Sequence, residues 1–177
     1  MRKILLALLF FTTIQAHAQV FVGGTLGFNS IHNGETGETQ GVFKVSPGIG
    51  ITLTQKWSFC LGVTYLNKES EYNKFYVSPS MRYSAFGIGS VSFIVDTGFD
   101  YAIGKDKSRQ SGHQKFNEWN VNVKPGIVLN FSDRVWFVAH IAQIGFKREK
   151  WENTKATTAW GAGMDMDNID MGLYFSF

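Results

Sequence analysis

Cysteine is almost absent from this 177-residue sequence. Cys60 stands alone, so no disulfide can close within the chain and an oxidising compartment is not used to staple the fold. No histidine is adjacent in sequence to activate it, and Cys60 reads as a small filler rather than a nucleophile. Charge of one sign is equally scarce. Of 17 Lys+Arg against 14 Asp+Glu, Arg2 and Lys3 fall in an N-terminal segment expected to be cleaved. That leaves a net charge of about +1 and no electrostatic case for a nucleic-acid partner. Beyond this segment the chain lacks a long uninterrupted apolar run, which excludes transmembrane helices. Few stretches repeat apolar residues at the 3.6-residue period of an amphipathic helix.

What is present begins with a secretory signal pattern. Arg2 and Lys3 supply a charged start, Ile4 to Phe11 an apolar run too short to span a bilayer, and Ala16-His17-Ala18 a small-x-small cleavage pattern. Residues 1–18 are therefore expected to be a signal peptide and 19–177 a single exported domain of about 159 residues. That domain is built from short segments rich in Phe, Tyr, Trp, Val, Ile and Gly that alternate apolar and polar at period two.

Eight such segments can be counted: Gln19–Phe28, Gly41–Thr54, Trp57–Asn67, Lys74–Ala85, Val91–Gly104, Glu118–Phe131, Arg134–Lys147 and Ile169–Phe177. The seventh loses phase between Ile141 and Ile144, which predicts a bulge near Gln143. In the eighth, Ile169, Met171, Leu173, Phe175 and Phe177 line one face up to the last residue. An even number of segments, each near the length that crosses a bilayer at a tilt, is the pattern of an antiparallel transmembrane barrel. The connections agree with it. Thr54–Lys56, Phe86–Ser90 and Ser132–Asp133 are short, whereas Asn29–Gln40, Lys68–Asn73, Lys105–Asn117 and Arg148–Asn168 are long and polar. Short periplasmic turns and long extracellular loops have this asymmetry.

Which face carries the large residues separates a membrane barrel from a soluble one. Phe, Val, Ile and Leu make one face, and the other is mainly Gly, Ser, Thr and Asn, small groups that suit a narrow lumen. Trp57, Tyr83, Trp119 and Trp136 fall near segment ends, where interfacial aromatic belts sit. All three prolines recur in one setting, Val45-Ser46-Pro47-Gly48-Ile49, Val77-Ser78-Pro79-Ser80-Met81 and Val123-Lys124-Pro125-Gly126-Ile127, on alternate strands and at one height above a short turn. Repetition points to a shared hairpin design, although proline removes a ladder donor.

With the Ala18-Gln19 junction, the Pro-Gly-Ile strand motif and the terminal Phe175-Ser176-Phe177, the chain resembles the small eight-stranded outer-membrane β-barrel family of Bacteroidetes-type proteins, with OmpA-like and OmpX-like architecture. The resemblance implies an all-β, eight-stranded up-and-down transmembrane barrel in the Gram-negative cell outer membrane. It implies insertion by the barrel-assembly machinery, which reads the C-terminal strand Ile169, Met171, Leu173, Phe175 and Phe177, and contact with outer-membrane lipid and lipopolysaccharide. It carries over no catalytic residue and no cofactor, and the expected state is a monomer.

The polar face also carries Lys44, Arg82, Asp96, Asp100, Lys124, His140 and Asp170. Several of them lie six to nine residues above a short turn or the C-terminus, and isolated charges in a narrow lumen are costly, so mutual pairing into a plug is expected. An outer-rim hydrolase would need a Ser-His-acid set or paired carboxylates. His140 is followed by Ile141-Ala142-Gln143, His32 and His113 stand alone, and Asp165, Asp167 and Glu152 read as solvated loop acids rather than a cation site. The functional expectation is a non-enzymatic membrane protein with a structural, adhesive or surface-interaction role through its loops and an unidentified extracellular partner. The alternatives are a narrow porin-like pore for small solutes and, third, a lipid A-modifying enzyme.

Overall fold

A computed structural model describes residues 19–32, 39–68, 72–106, 115–152, 155–163 and 170–177. The expected signal peptide, His113, Asp165, Asp167 and Ile169 lie outside the described residues. Within them the chain forms ten strands: β1 (Val20–His32), β2 (Thr39–Thr52), β3 (Trp57–Lys68), β4 (Tyr72–Ile88), β5 (Val91–Asp106), β6 (Lys115–Asn130), β7 (Val135–His140), β8 (Gln143–Trp151), β9 (Thr157–Gly163) and β10 (Asp170–Ser176). Strands β1 to β6 pair in sequence, all antiparallel. Both β7 and β8 pair with β6, β9 pairs with β8, β10 pairs with β7, and β10 returns to β1. Thus β7 with β8, and β9 with β10, make two interrupted staves, and the sheet closes as an eight-stranded antiparallel barrel.

The break in the seventh stave is the expected bulge. Ile141 donates its N–H to the Pro125 carbonyl at 3.1 Å, and the ladder resumes at Val123↔Ile144, so Ala142 and Gln143 together oppose Lys124. One extra residue reverses the facing of everything that follows it. Val138 and His140 before the break therefore face the same lumen as Gly145 and Lys147 after it.

The prolines acquire an explanation here. Pro47, Pro79 and Pro125 each pair normally with the preceding stave, at Gly24, Leu61 and Val95. Towards the following stave the ladder skips Ser46–Pro47, Ser78–Pro79 and Lys124–Pro125. Each proline thus sits where the ladder lacks a rung, and its missing N–H leaves no orphan acceptor in a paired register. In the first gap a hydroxyl pair, Ser46 Oγ to Thr64 Oγ1 at 2.6 Å, bridges the two strands.

Three tight connections make one end of the barrel. Thr54 Oγ1 accepts from the N–H of Lys56 and of Trp57, and Ser132 Oγ accepts in the same way from Arg134 and Val135. Between β4 and β5 only Gly89 and Ser90 remain, with Gly89 at φ +60°, a left-handed conformation that glycine adopts without a Cβ clash. The turn is shorter than the expected Phe86–Ser90 because Phe86 and Ile88 are still strand. At the opposite end the strands run further than period-two alternation alone suggested. Arg148 to Trp151 belongs to β8 and Thr157 to Gly163 forms β9, both within a stretch expected to be loop, because cross-strand hydrogen bonds continue where the apolar alternation stops.

Parity sorts the side chains cleanly. Leu26, Phe43, Ile49, Phe59, Leu61, Phe75, Phe93, Phe99, Ile103, Val121, Met171, Leu173 and Phe175 are exposed outward, while Thr25, Arg82, Asp96, Asn122, His140 and Asp170 are buried within. This inverts the arrangement of a soluble barrel. Trp57 and Tyr83 sit outward beside each other, ring centroids 4.8 Å apart, near the short-turn end. Trp136 departs from the belt expectation. It opposes Asn130 across the ladder and faces the lumen, where it meets Phe21 at 5.4 Å, edge to face.

Candidate functional site

The lumen is filled in layers. Nearest the short turns is a polar hollow of about 590 Å³ lined by Ser58, Ser84, Ser92 and Asn130. Above it comes an apolar layer of Ile94, Val128 and Val138, against which Trp136 and Tyr174 pack. Phe21 completes this layer, and Gly50 leaves room for its ring. Gly23 is required beside it, because a Cβ there would come 2.3 Å from the Leu173 carbonyl and 2.5 Å from the Tyr174 ring on the closing strand.

The next layer is a charged trio. Arg82 Nε donates to Asp96 Oδ1 at 2.9 Å and Nη2 to Oδ2 at 2.8 Å, and His140 Nε2 lies 2.8 Å from the same Oδ2. All three residues are buried. A two-pronged guanidinium–carboxylate pair is the strongest form such an interaction takes, and the Arg82 guanidinium also lies 5.6 Å from the Tyr174 ring below. His140 Nδ1 is buried with no hydrogen-bond partner among the described residues.

One step further up, Asp170 accepts from Lys44 Nζ at 2.5 Å and has Lys124 Nζ at 3.9 Å. Among the described residues Asp100 does not pair with a cation. It accepts from the side-chain amides of Asn122 at 2.5 Å and Asn120 at 3.3 Å. A cavity of about 110 Å³ lies among these groups. The seven lumen residues named from sequence therefore divide into two ion-pair groups and one amide-solvated carboxylate, rather than one ring at a single height.

A third charged layer escaped sequence reading. Lys74 Nζ contacts Glu118 Oε2 at 2.7 Å, and Lys147 Nζ contacts Glu118 at 3.0 Å and Glu149 at 3.1 Å. Lys74 also lies 4.6 Å and 5.0 Å from the rings of Tyr72 and Phe116. Lys74, Glu118 and Lys147 share lumen parity with Tyr76, Asn120 and Gly145, so the signal was available at the segment ends. Glu149 fell in the stretch expected to be loop.

The C-terminal strand presents Met171, Leu173, Phe175 and Phe177 outward and exposed, and the Phe177 N–H donates to the Val20 carbonyl at 3.1 Å across the closing seam. Among the described residues no group of three His, Cys, Asp or Glu side chains is arranged to hold a metal ion.

Comparison with known proteins agrees with this architecture. The family model of the outer membrane protein beta-barrel domain matches residues 4–172. The crystal structure of Neisserial surface protein A aligns with a TM-score of 0.56 at 12% identity, covering 90% of this chain and 96% of that one. The N-terminal β-barrel domain of Pseudomonas aeruginosa OprF aligns with a TM-score of 0.51 at 14% identity, covering 90% and 96%. At these identities the likeness is one of fold. No curated protein matches the chain in sequence.

Proposed function

The chain belongs to the outer membrane protein beta-barrel domain family and resides in the outer membrane, and from that premise we propose that it is a closed, non-conducting barrel with a structural, adhesive or surface-interaction role. The observation that carries this reading is the stacking of its lumen, with an apolar layer below and three layers of paired charge above. The cavity at mid-height, about 110 Å³, is small beside the hollow at the short-turn end, about 590 Å³. Buried ions in a narrow channel are held by pairing with one another. Arg82 pairs with Asp96 on the neighbouring strand and Lys44 reaches Asp170 past β1, so the lumen charges are neutralised in pairs and their side chains occupy its mid-height. The proposed role is non-catalytic. His140 is engaged by Asp96 deep in the wall, away from the rim where an outer-leaflet substrate would arrive.

Planar-bilayer conductance tests the reading. The wild-type barrel is expected to give no stable channel, and the triple variant R82A/D96A/W136A is expected to give small, flickering openings. A stable, large open channel in the wild type would overturn the closed lumen and leave the narrow solute pore as the better account.

A further inference from the structure

The loop end carries a second group of charges, on the outward face, which the lumen pairs do not use. Cross-strand registers set it out in rows. Lys105 of β5 lies directly opposite Lys115 of β6, and one row down Asn117 lies opposite Lys150 of β8. In the row below that, Trp119 opposes Tyr101 on one side and Arg148 on the other. All four cations are exposed, and none forms an ion pair among the described residues. Like charges directly opposite in a ladder destabilise a sheet by themselves. They become favourable when an anion sits between them.

The surroundings define the anion. A hollow of about 760 Å³ is lined by Lys105, Lys115 and Lys150 together with Tyr65, Phe75 and Ile103. Asn73 shares the lining, and its buried Oδ1 has no hydrogen-bond partner among the described residues, which leaves an acceptor for a hydroxyl. Glu152 is also in the lining, and its backbone N–H donates to the Lys115 carbonyl at 3.1 Å. Lys74, the fourth lysine there, is already held by Glu118. The net excess is cationic, on a bilayer-facing surface with apolar and aromatic rows beneath it, the height at which lipid headgroups meet acyl chains.

We propose that this hollow binds the phosphorylated headgroup of an outer-leaflet glycolipid, with phosphate between Lys105, Lys115 and Lys150 and an acyl chain along Tyr65, Phe75 and Ile103. The inference rests on the outer-membrane location and is independent of whether the lumen conducts. Each basic residue near an anionic membrane surface contributes roughly a fivefold preference, so three together are worth on the order of a hundredfold.

The test is binding of bis-phosphorylated lipid A to the detergent-refolded full chain, followed by native mass spectrometry and tryptophan fluorescence. K105Q/K115Q/K150Q is expected to bind about a hundredfold more weakly, K105R/K115R/K150R close to wild type, and K56Q/R134Q at the short-turn end unchanged. Enzymatically dephosphorylated lipid A should bind wild type and the Gln variant alike, and millimolar inorganic phosphate should leave lipid A bound. Equal lipid A binding by wild type and the Gln variant would overturn the site. Displacement of lipid A by inorganic phosphate alone would overturn the assignment to a lipid. Retention of the heat-dependent gel shift certifies each variant as folded, and K105Q and K150Q singly carry the same test should the triple variant not refold.

Discussion

Neutralising Asp96 should damage this barrel more than any other single charge change. Asp96 receives Arg82 Nε and Nη2 at 2.9 and 2.8 Å and has His140 Nε2 at 2.8 Å, and all three residues are less than a tenth exposed. Asp96→Asn preserves shape but leaves the Arg82 guanidinium without its counter-charge and turns an amide N–H towards it. Removing one partner of a buried pair costs about 3–5 kcal/mol, because the survivor stays desolvated and uncompensated. With a urea slope of about 2 kcal/mol per molar, the unfolding midpoint of the detergent-refolded barrel should fall by roughly 2 M. The assay is the fraction of heat-shifted band on unboiled gels across a urea series, read in parallel by tryptophan fluorescence. The double variant Arg82→Met with Asp96→Leu separates charge from packing. Removing both ions together should recover most of the loss, since apolar replacements of similar volume are close to neutral. A D96N midpoint within about 0.5 M of wild type would refute the claim that this trio is desolvated and mutually dependent.

Lys74→Gln should cost less, about 1–2 kcal/mol, because Glu118 keeps Lys147 at 3.0 Å, and the same urea series checks it. Gly23→Ala drives a Cβ onto the Leu173 carbonyl and the Tyr174 ring at the closing seam, and should lower stability by about 1–3 kcal/mol with a visible loss of closed-barrel band. Gly89→Ala meets nothing within 4 Å, so its cost of about 1–2 kcal/mol should be purely that of a left-handed alanine. Deleting Phe177, exposed at 81%, should slow outer-membrane assembly in cells while leaving refolding in detergent within about 1 kcal/mol of wild type. Equal impairment in both assays would mean that Phe177 serves the closing seam rather than recognition by the assembly machinery.

Much of the fold was legible because a barrel wall is written in a local code. Period-two alternation assigns each residue to lipid or lumen without knowledge of its partner, and a single phase slip located the bulge between His140 and Gln143. Strand ends were less legible. Arg148–Trp151 and Thr157–Gly163 continue pairing where polar residues replace the apolar alternation, so pattern alone assigned them to loop. Trp136 shows the same limit, since its place near a strand end suggested a belt while its parity aims it at Phe21.

The sequence by itself determined the barrel, its inverted faces, its strand order and the seven lumen charges at mid-height, because these follow from hydropathy at period two and from connection lengths. Only the tertiary structure decided who meets whom. His140 joins the Asp96 that Arg82 already holds across 44 residues of chain, Lys44 reaches Asp170 across 126, and Asp100 is left to two asparagines. Those choices depend on stagger between staves, on three missing rungs beside the prolines and on where the ring closes. They are properties of strand register around the whole barrel, which no local stretch of sequence encodes.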